Sequence, residues 1–347
     1  MTWHGIQGHD EVVEQFRHAL ERGRLASSFL FVGPAGVGKR AFALKLAQAM
    51  LCQQRPEAAL DPCETCPSCS MVLAGTHPDL DLICKPADKS FLPLALFIGE
   101  PEHRRQEGLC HTIGLKPYMG RRKIAVIDDA DYLNAEGANC LLKTLEEPPP
   151  MSVLILIGTS PARQLPTIRS RCQLIRFRPL EPEVVAGLLL AQGIVADAGE
   201  ARRLAQYSEG SVQRAAELAD AGLWSFRNTL YQALSAPRLD SLSLAQSTSA
   251  FVDEAGKEAA PRRARLRQIA AFATDFYRQL LRAESGCALP EDDQLQRAVT
   301  ESRRHGRSSA TVARLDRCLE AASHIDRNAN QTTLIEAWLD DLAKDQG

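Results

Sequence analysis

Short apolar runs alternate with helical stretches over the first half of the chain. The runs have the length of buried strands and lie at 29–32, 80–83, 124–127, 153–157 and 174–177. Between several of them, apolar residues recur at the spacing of an amphipathic helix, as in 10–22. This pattern predicts an α/β domain. Residues 85–115 show neither pattern clearly, and we expect an inserted surface element and a helix there.

Beyond Pro179 and Pro182 the apolar spacing is helical. The two prolines mark a boundary, because proline interrupts both helices and strand ladders. The predicted helices lie at 182–192, 198–206, 211–219, 261–282, 310–327 and 332–343. Residues 235–250 are rich in Ser and Ala and favour a looser linker. The second half of the chain is therefore predicted to be all-helical.

Composition limits the class of protein. The chain has 347 residues, enough for two or three domains, and 45% of them are hydrophobic. A net charge of −2 argues against coating nucleic acid alone, since phosphate neutralisation needs a basic surface. No apolar run approaches the length of a membrane span, and the first residues lack the pattern of a secretory signal. The expectation is a cytoplasmic protein without membrane attachment.

A glycine-rich loop follows the first predicted strand. Gly33–Lys39 matches the phosphate-binding loop, except that Arg40 then replaces the required Ser or Thr. Its glycines are Gly33, Gly36 and Gly38. They would let backbone N–H groups surround phosphate oxygens at a helix N-terminus, while Lys39 neutralises the outer phosphates. Arg40 stands where a hydroxyl should hold Mg²⁺, and a guanidinium cannot ligate a cation. The loop predicts a site for ATP or ADP that is impaired in hydrolysis; a glycine turn without a ligand is the alternative.

Acidic and polar residues end two later strands. Asp128 and Asp129 follow the run 124–127, which is the second signature of a nucleotide site, and Asp128 has the metal-binding position. Asp129 stands where a hydrolytic enzyme usually carries Glu to orient water, and it is one methylene shorter. Thr159, after the run 153–157, can sense the γ-phosphate. The alternatives are a solvated turn after a buried strand for the acidic pair and a turn-capping hydroxyl for Thr159.

Four of the ten cysteines have metal-binding spacing. Cys63, Cys66 and Cys69 follow one another with two residues between neighbours, and Cys52 precedes them at a predicted helix end. Four thiolates can complete a tetrahedron around one ion, and such a closed site would be structural. An iron–sulfur cluster also uses four cysteines, but the spacing lacks the ferredoxin pattern. Buried thiols without a ligand are the remaining alternative.

Arg171 is predicted to lie at the rim of the α/β domain. It belongs to Ser170-Arg171-Cys172, just before the run 174–177. From such a position a guanidinium can complete the nucleotide site of a neighbouring subunit as an arginine finger. A solvated charge is the alternative, and the residues alone favour it.

Taken together, these motifs resemble the clamp-loader branch of the AAA+ ATPases, and more narrowly the delta-prime family of bacterial DNA polymerase III. The matching features are the glycine loop, the four cysteines, His77-Pro78-Asp79, the run 139–149 and Ser170-Arg171-Cys172. The run 139–149, a helix that stops at prolines, and the Ser-Arg-Cys motif are specific in combination. The similarity extends over nearly the whole chain and is weak over 85–115 and 220–310.

The resemblance implies three domains and a set of partners. It implies a RecA-like AAA+ parallel-sheet domain at 1–178 with an inserted zinc module at about 52–69, a helical lid at 179–234 and an all-α collar for oligomerisation at 235–347. It also implies structural Zn²⁺ at the four cysteines and makes Arg171 a finger toward ATP on an adjacent gamma or tau subunit. The partners would be gamma/tau and delta subunits in a hetero-pentamer, which loads the sliding clamp on primed DNA during DNA replication.

Two residues depart from the ATP-hydrolysing members of this branch. Arg40 replaces the Mg²⁺ hydroxyl and Asp129 replaces the hydrolytic Glu. Both departures fit a stator-like delta-prime subunit with weak or absent ATPase activity of its own. They argue against the rival interpretation, an active gamma/tau-like ATPase. In the lid, the ATPases carry an arginine after Gly-Ser-x; here that position is Gln213, and Arg214 comes one residue later.

Overall fold

A computed structural model describes residues 2–86, 89–104, 106–290, 292–305, 308–326 and 329–344. The chain forms two compact units, Met1–Glu217 and Leu218–Gly347. The division into three domains with boundaries at 178 and 234 stays a prediction.

The first unit contains a five-stranded parallel sheet. Its strands are β1 Ser28–Val32, β2 Leu80–Ile83, β3 Lys123–Ile127, β4 Ser152–Gly158 and β5 Gln173–Arg176. Their order across the sheet is β2-β3-β4-β1-β5, and every neighbouring pair is parallel. All five apolar runs of the sequence are therefore strands, and the predicted α/β class is confirmed.

Helices connect and cover the strands of this unit. They are α1 Asp10–Glu21, α2 Lys39–Leu51, α3 Pro67–Ala74, α4 Ala95–Ile98, α5 Leu109–Thr112, α6 Ala135–Glu146, α7 Pro166–Arg169, α8 Pro182–Ala191, α9 Ala198–Tyr207 and α10 Val212–Glu217. Asn134 caps α6 because its Oδ1 accepts the Gly137 N–H at 2.8 Å. The helix ends at Glu146, two residues before Pro148, as a proline requires.

The sheet is buried on both faces, which is why its strands read as continuous apolar runs. On one face, Phe29 and Phe31 of β1 join an aromatic cluster with Phe16, Phe42 and Phe177. On the other face, Leu30 and Val32 belong to a second core. Burying a side chain of this size stabilises the fold by about 1.5–3 kcal/mol.

The segment 85–115 contributes to that second core, and it also contains both an exposed stretch at 100–104 and 106–107 and two short helices, in line with the expected surface element and helix. Leu92 and Phe97 are fully buried there. Its helices α4 and α5 span four residues each, which is too short to show a helical period in the sequence.

The second unit is helical among its described residues, as predicted. Its helices are α11 Ala221–Ser235, α12 Ser241–Asp253, α13 Ala259–Glu284, α14 Asp293–His305, α15 Ser308–Asp326 and α16 Gln331–Lys344. The predicted linker at 235–250 is wrong, because α12 occupies most of it. Asp240 caps that helix through the Ser243 N–H at 3.0 Å, and Leu244, Phe251 and Val252 are buried. Tertiary packing of this apolar face stabilises a helix that Ser-rich composition alone does not favour.

Across the described ranges, none of the helices combines the length and the apolar character that crossing a membrane requires.

Candidate functional site

Three of the predicted site segments meet at the carboxyl edge of the sheet. The glycine loop follows β1, Asp128 follows β3 and Thr159 follows β4, and these strands are neighbours. The Gly33 N–H donates to the Thr159 carbonyl at 3.2 Å, which joins the start of the loop to the end of β4. Ligands of open parallel sheets bind at this edge, which is where the predicted nucleotide site would lie.

The glycines of the loop are required by its backbone. Gly36 and Gly38 have φ of +74° and +97°, a region that other residues rarely adopt. At Gly33, a Cβ would lie 2.3 Å from the Phe177 carbonyl oxygen. The loop therefore has a backbone conformation that requires glycine at these positions.

Lys39 folds back onto the loop. Its Nζ donates to the carbonyl oxygens of Gly33 and Pro34 at 2.7 and 2.6 Å. Burial lowers the pKa of Lys39, while the nearby carboxylates of Asp131 and Asp128 act to raise it. A phosphate at this loop would have to replace the two carbonyls as the partner of the ammonium group.

Arg40 pairs with the carboxylate that was predicted to hold a metal. Its Nη1 lies 3.3 Å from Asp128 Oδ2, with the arginine side chain 50% exposed and the aspartate 19%. Asp129 next to it adopts a left-handed φ of +58°, and burial together with the Asp128 charge raises its pKa. The chain thus places its own positive charge beside the carboxylate where a divalent cation would otherwise bind.

Asp131 belongs to the edge but is not among the predicted site residues. Its carboxylate accepts the Thr159 N–H at 2.9 Å, the Thr159 hydroxyl at 2.5 Å and the Gln164 side-chain amide at 2.5 Å. The hydroxyl of Thr159 therefore donates to Asp131 in this structure. The sequence signal is an acidic residue three positions after Asp128, in the same turn.

The helix α10 begins on the glycine loop. The Val212 N–H donates to the Gly36 carbonyl at 3.0 Å. A Cβ at Gly36 would lie 2.2 Å from Ser211 Oγ and 2.7 Å from the Gln213 Cβ. Ser211 caps this helix, because its Oγ accepts the Arg214 N–H at 3.1 Å.

Gln213 and Arg214 have different surroundings. Gln213 packs on the glycine loop, as its closeness to Gly36 shows. The guanidinium of Arg214 pairs with Glu209 at 2.7 Å. The residue that lies against the loop at the lid position is thus an uncharged amide.

His9 supports the loop from α1. Its Nε2 lies 2.7 Å from the Val37 carbonyl, so Nε2 carries the proton and donates, and its ring packs edge-on against Phe177. Burial lowers the pKa of His9 below its ordinary value. The sequence shows no signal for this role, because a lone histidine before a helix is common.

The four clustered cysteines converge as predicted. Their sulfur atoms all lie within 4.8 Å of one another, and the Sγ atoms of Cys63 and Cys69 are 3.9 Å apart. Around one ion with metal–sulfur distances of ~2.3 Å, a tetrahedron separates sulfurs by ~3.8 Å. The N–H groups of Cys66 and Cys69 donate to the Sγ atoms of Cys63 and Cys66 at 3.3 and 3.4 Å. The cluster can bind a metal such as zinc.

The cysteine cluster lies at the end of α2 opposite the glycine loop. Cys52 directly follows α2, and the Gln48 side chain donates to the Cys69 carbonyl at 3.1 Å. Ser68 of α3 contacts His77 Nε2 at 2.8 Å, and His77 Nδ1 accepts the Asp79 N–H at 3.0 Å. His77-Pro78-Asp79 therefore joins the cysteine segment to the start of β2.

Arg171 is held by groups of its own chain. Its Nε and Nη2 donate to Glu146 Oε1 at 2.9 and 2.6 Å. Its Nη1 donates to the Thr167 carbonyl at 2.9 Å and to Ser170 Oγ at 3.0 Å. The Arg171 side chain is 32% exposed. These partners lie on α6, on α7 and in the turn after α7, and not on the nucleotide edge of this chain.

The sheet order, the glycine loop after β1 and the acidic pair after β3 define an AAA+-like α/β protein. A sequence model of the family described as "DNA polymerase III, delta subunit" matches residues 8–181, half of the chain. The chain belongs to the DNA polymerase III delta-prime family, in which curated relatives carry the name "DNA polymerase III subunit delta'".

Three relatives illustrate the similarity. The delta' subunit of Bacillus subtilis (strain 168) is 34% identical over 183 residues, covering 53% of this chain and 51% of the relative. The delta' subunit of Pseudomonas aeruginosa is 39% identical over 158 residues, covering 44% of this chain and 43% of the relative. The tau subunit of B. subtilis is 29% identical over 230 residues, covering 66% of this chain and 37% of the relative. The chain spans about half the length of the curated delta' relatives that it matches.

Proposed function

We propose that this chain is a delta-prime-like subunit of the DNA polymerase III clamp loader and does not hydrolyse ATP itself. The observation that carries the proposal is the pair of Arg40 and Asp128, whose nitrogen and oxygen lie 3.3 Å apart. A carboxylate neutralised by the chain's own cation is a poor Mg²⁺ ligand, and phosphoryl transfer depends on that metal. The shorter Asp129 adds a second defect to the same step.

The proposed contribution to catalysis is Arg171, acting in trans on ATP bound by a neighbouring gamma or tau subunit. Its partial exposure and its contacts on α6 and α7, rather than on the glycine loop of its own chain, support this role. A guanidinium supplied from outside stabilises the charge on the transferred phosphoryl group and accelerates GTPases by about 10³–10⁵. The chain would thus supply one catalytic group to a neighbour's site, although its own site lacks the Mg²⁺ hydroxyl and the hydrolytic Glu.

The proposed partners are gamma/tau and delta subunits, assembled with this chain into a hetero-pentamer in the cytoplasm. Residues 179–234 would act as the lid and residues 235–347 as the collar through which the subunits assemble. The complex would open the sliding clamp and load it on primed DNA. Support comes from the family and from the second unit, which is helical among its described residues.

The proposed metal is structural Zn²⁺ at the four cysteines. Support comes from the 3.9 Å separation of Cys63 and Cys69 Sγ, which suits sulfurs around one ion. An iron–sulfur cluster contains several metal atoms and needs its cysteine sulfurs further apart. With four sulfurs and no open position, the ion would hold the segment together and take no part in phosphate chemistry.

Nucleotide binding is not required for this role. The glycine loop keeps the backbone to receive ATP or ADP, but Lys39 is already satisfied by the Gly33 and Pro34 carbonyls. The rival function, an active gamma/tau-like ATPase, would need Mg²⁺ beside Asp128.

The test compares ATP turnover by the purified chain with turnover by the reconstituted complex. The chain alone should be inactive, while Arg171→Ala should assemble normally and lose most of the DNA- and clamp-stimulated turnover of its neighbour. Arg169→Ala, an exposed arginine at the end of α7, is the matched control. Arg171→Lys should rescue poorly, because an ammonium lacks the planar fork of a guanidinium. Wild-type rates for Arg171→Ala in an assembled complex would reject the finger.

A further inference from the structure

We propose that Glu146 is a positioning residue that holds the Arg171 guanidinium in the orientation needed at the subunit boundary. The inference rests on the proposed function, because Glu146 would act only through Arg171. Glu146 is the last residue of α6, and its Oε1 accepts from both Nε and Nη2 of Arg171, at 2.9 and 2.6 Å.

The contacts of Arg171 fix the plane of its guanidinium. Such a group carries five N–H donors. Glu146 accepts the N–H of Nε and one N–H of Nη2. The Thr167 carbonyl and Ser170 Oγ accept the two N–H groups of Nη1. One N–H of Nη2 is left over, at the far end of the group. Anchors on α6, on α7 and in the following turn therefore determine where that end points.

The pair between Glu146 and Arg171 is placed for orientation rather than for stability. Both side chains are partly in solvent, 49% and 32% exposed, and such surface ion pairs contribute little to folding. An unanchored arginine, in contrast, loses much rotamer freedom when it docks on a phosphate. A side chain already held by these anchors loses less on docking and keeps the remaining N–H of Nη2 for the phosphate.

The end of α6 gives Glu146 a rigid support. Leu141 and Leu145 on the preceding turns are buried, and Pro148 stops the helix directly afterwards. Glu147, the next residue, is also exposed, but the carboxylate contacts of Arg171 go to Glu146. The two glutamates therefore form a matched pair for substitution.

The experiment uses the reconstituted complex with Glu146→Ala, Glu146→Gln and the control Glu147→Ala, each with Arg171 intact and with Arg171→Ala. Glu146→Ala should lower the kcat of the stimulated ATPase by about tenfold, below the roughly 10²-fold that a 1 Å misplacement can cause. The KM for ATP and assembly by sizing should stay unchanged. Glu146→Gln should recover part of the rate, since an amide oxygen still accepts from Nε. Glu147→Ala should match the wild type.

The decisive comparison is the double variant. In the Arg171→Ala background, Glu146→Ala should cause no further loss, because a positioning residue is silent without the group it positions. Three results would overturn the inference but not the proposed role of Arg171. They are a further loss of rate when Glu146→Ala is added to Arg171→Ala, a faster rate for Glu146→Ala alone, and an unchanged rate for Glu146→Ala although Arg171→Ala is impaired. An unimpaired Arg171→Ala complex would instead overturn the proposed function itself.

Discussion

The two ends of α2 carry two candidate cation sites that are built in opposite ways. At its N-terminal end, the guanidinium of Arg40 already lies beside Asp128. At its C-terminal end, Cys52 joins three other cysteines, and the ligands of that group are all sulfur. A site that contains a positive side chain repels a metal ion, whereas four converging thiolates attract one. Motif spacing alone therefore does not decide whether an ion binds; the charge of the adjacent residue does.

Among the substitutions that test this comparison, loss of a sulfur ligand should have the largest effect. Cys66→Ala removes one of four ligands and also the acceptor of the Cys69 N–H. We expect bound zinc to fall from about one ion per chain to nearly none, since structural zinc in finger peptides is worth about 10–16 kcal/mol only with its full ligand set. Residues 52–69 should become sensitive to protease, while the sheet stays folded. Metal analysis and limited proteolysis measure both.

The control for that variant is Cys287→Ala, which replaces an exposed cysteine outside the cluster. It should keep both zinc and protease resistance. A wild-type chain that carries no metal, or one with iron–sulfur absorbance, would contradict the assignment of zinc.

The opposite end of α2 is tested by Arg40→Thr. The change removes the cation next to Asp128 and supplies the missing hydroxyl. We expect Mg²⁺ to tighten ADP binding by about tenfold in the variant, equivalent to ~1.4 kcal/mol, and to have little effect in the wild type. ATP turnover should stay near background, because Asp129 is unchanged. Calorimetric titration with ADP in Mg²⁺ and in EDTA measures the difference, with Arg24→Thr, an exposed arginine, as the control.

Two results would count against the comparison. One is equal dependence on Mg²⁺ in the wild type and in Arg40→Thr. The other is ATP turnover by the unassembled wild-type chain at a rate typical of AAA+ ATPases.

The smallest expected effect concerns His9, which supports only the N-terminal end of α2. Burial lowers the pKa of His9 below its ordinary value of 6.5, so the folded state binds fewer protons than the unfolded state just below that pH. Stability is therefore full above about pH 6.5 and falls as the pH drops through the window below it. His9→Gln keeps a donor for the Val37 carbonyl but does not titrate, and it should lose less stability on acidification. Each unit of pKa shift corresponds to about 1.4 kcal/mol.

Urea unfolding at pH 7.5 and pH 5.5 measures this difference. His18→Gln is the control, since that side chain is 63% exposed. Equal losses of stability in the wild type and in His9→Gln would show that His9 does not contribute to the acid sensitivity. His77, whose pKa burial also lowers, would then be the next histidine to replace.

Features that depend on local rules were predictable from the sequence. The five strands, the cap at Asn134, the glycine loop and the convergence of the cysteines follow from spacing within short segments. Asp131 and Glu146 were not predicted, because their partners Thr159 and Arg171 lie 28 and 25 positions away. Only the packing of the sheet and its helices brings these pairs together.

Two helical regions show a different kind of failure. In the segment 85–115, the buried Leu92 and Phe97 lie in or beside helices too short to show a period. The Ser-rich α12 is stabilised by its buried Leu244, Phe251 and Val252 rather than by intrinsic propensity. In both places tertiary burial, which a single sequence displays poorly, decides the structure.

The bond from the Val212 N–H to the Gly36 carbonyl has a mechanical consequence. In enzymes that close over a phosphate, the ligand sets the angle of the closing element, and its release lets that element swing back. Here one part of the main chain holds another, because a backbone hydrogen bond joins the start of α10 to the glycine loop. Binding and release of nucleotide would therefore move α10 little. If the proposed function holds, such a joint would let this chain pass on motion from neighbouring subunits rather than produce it.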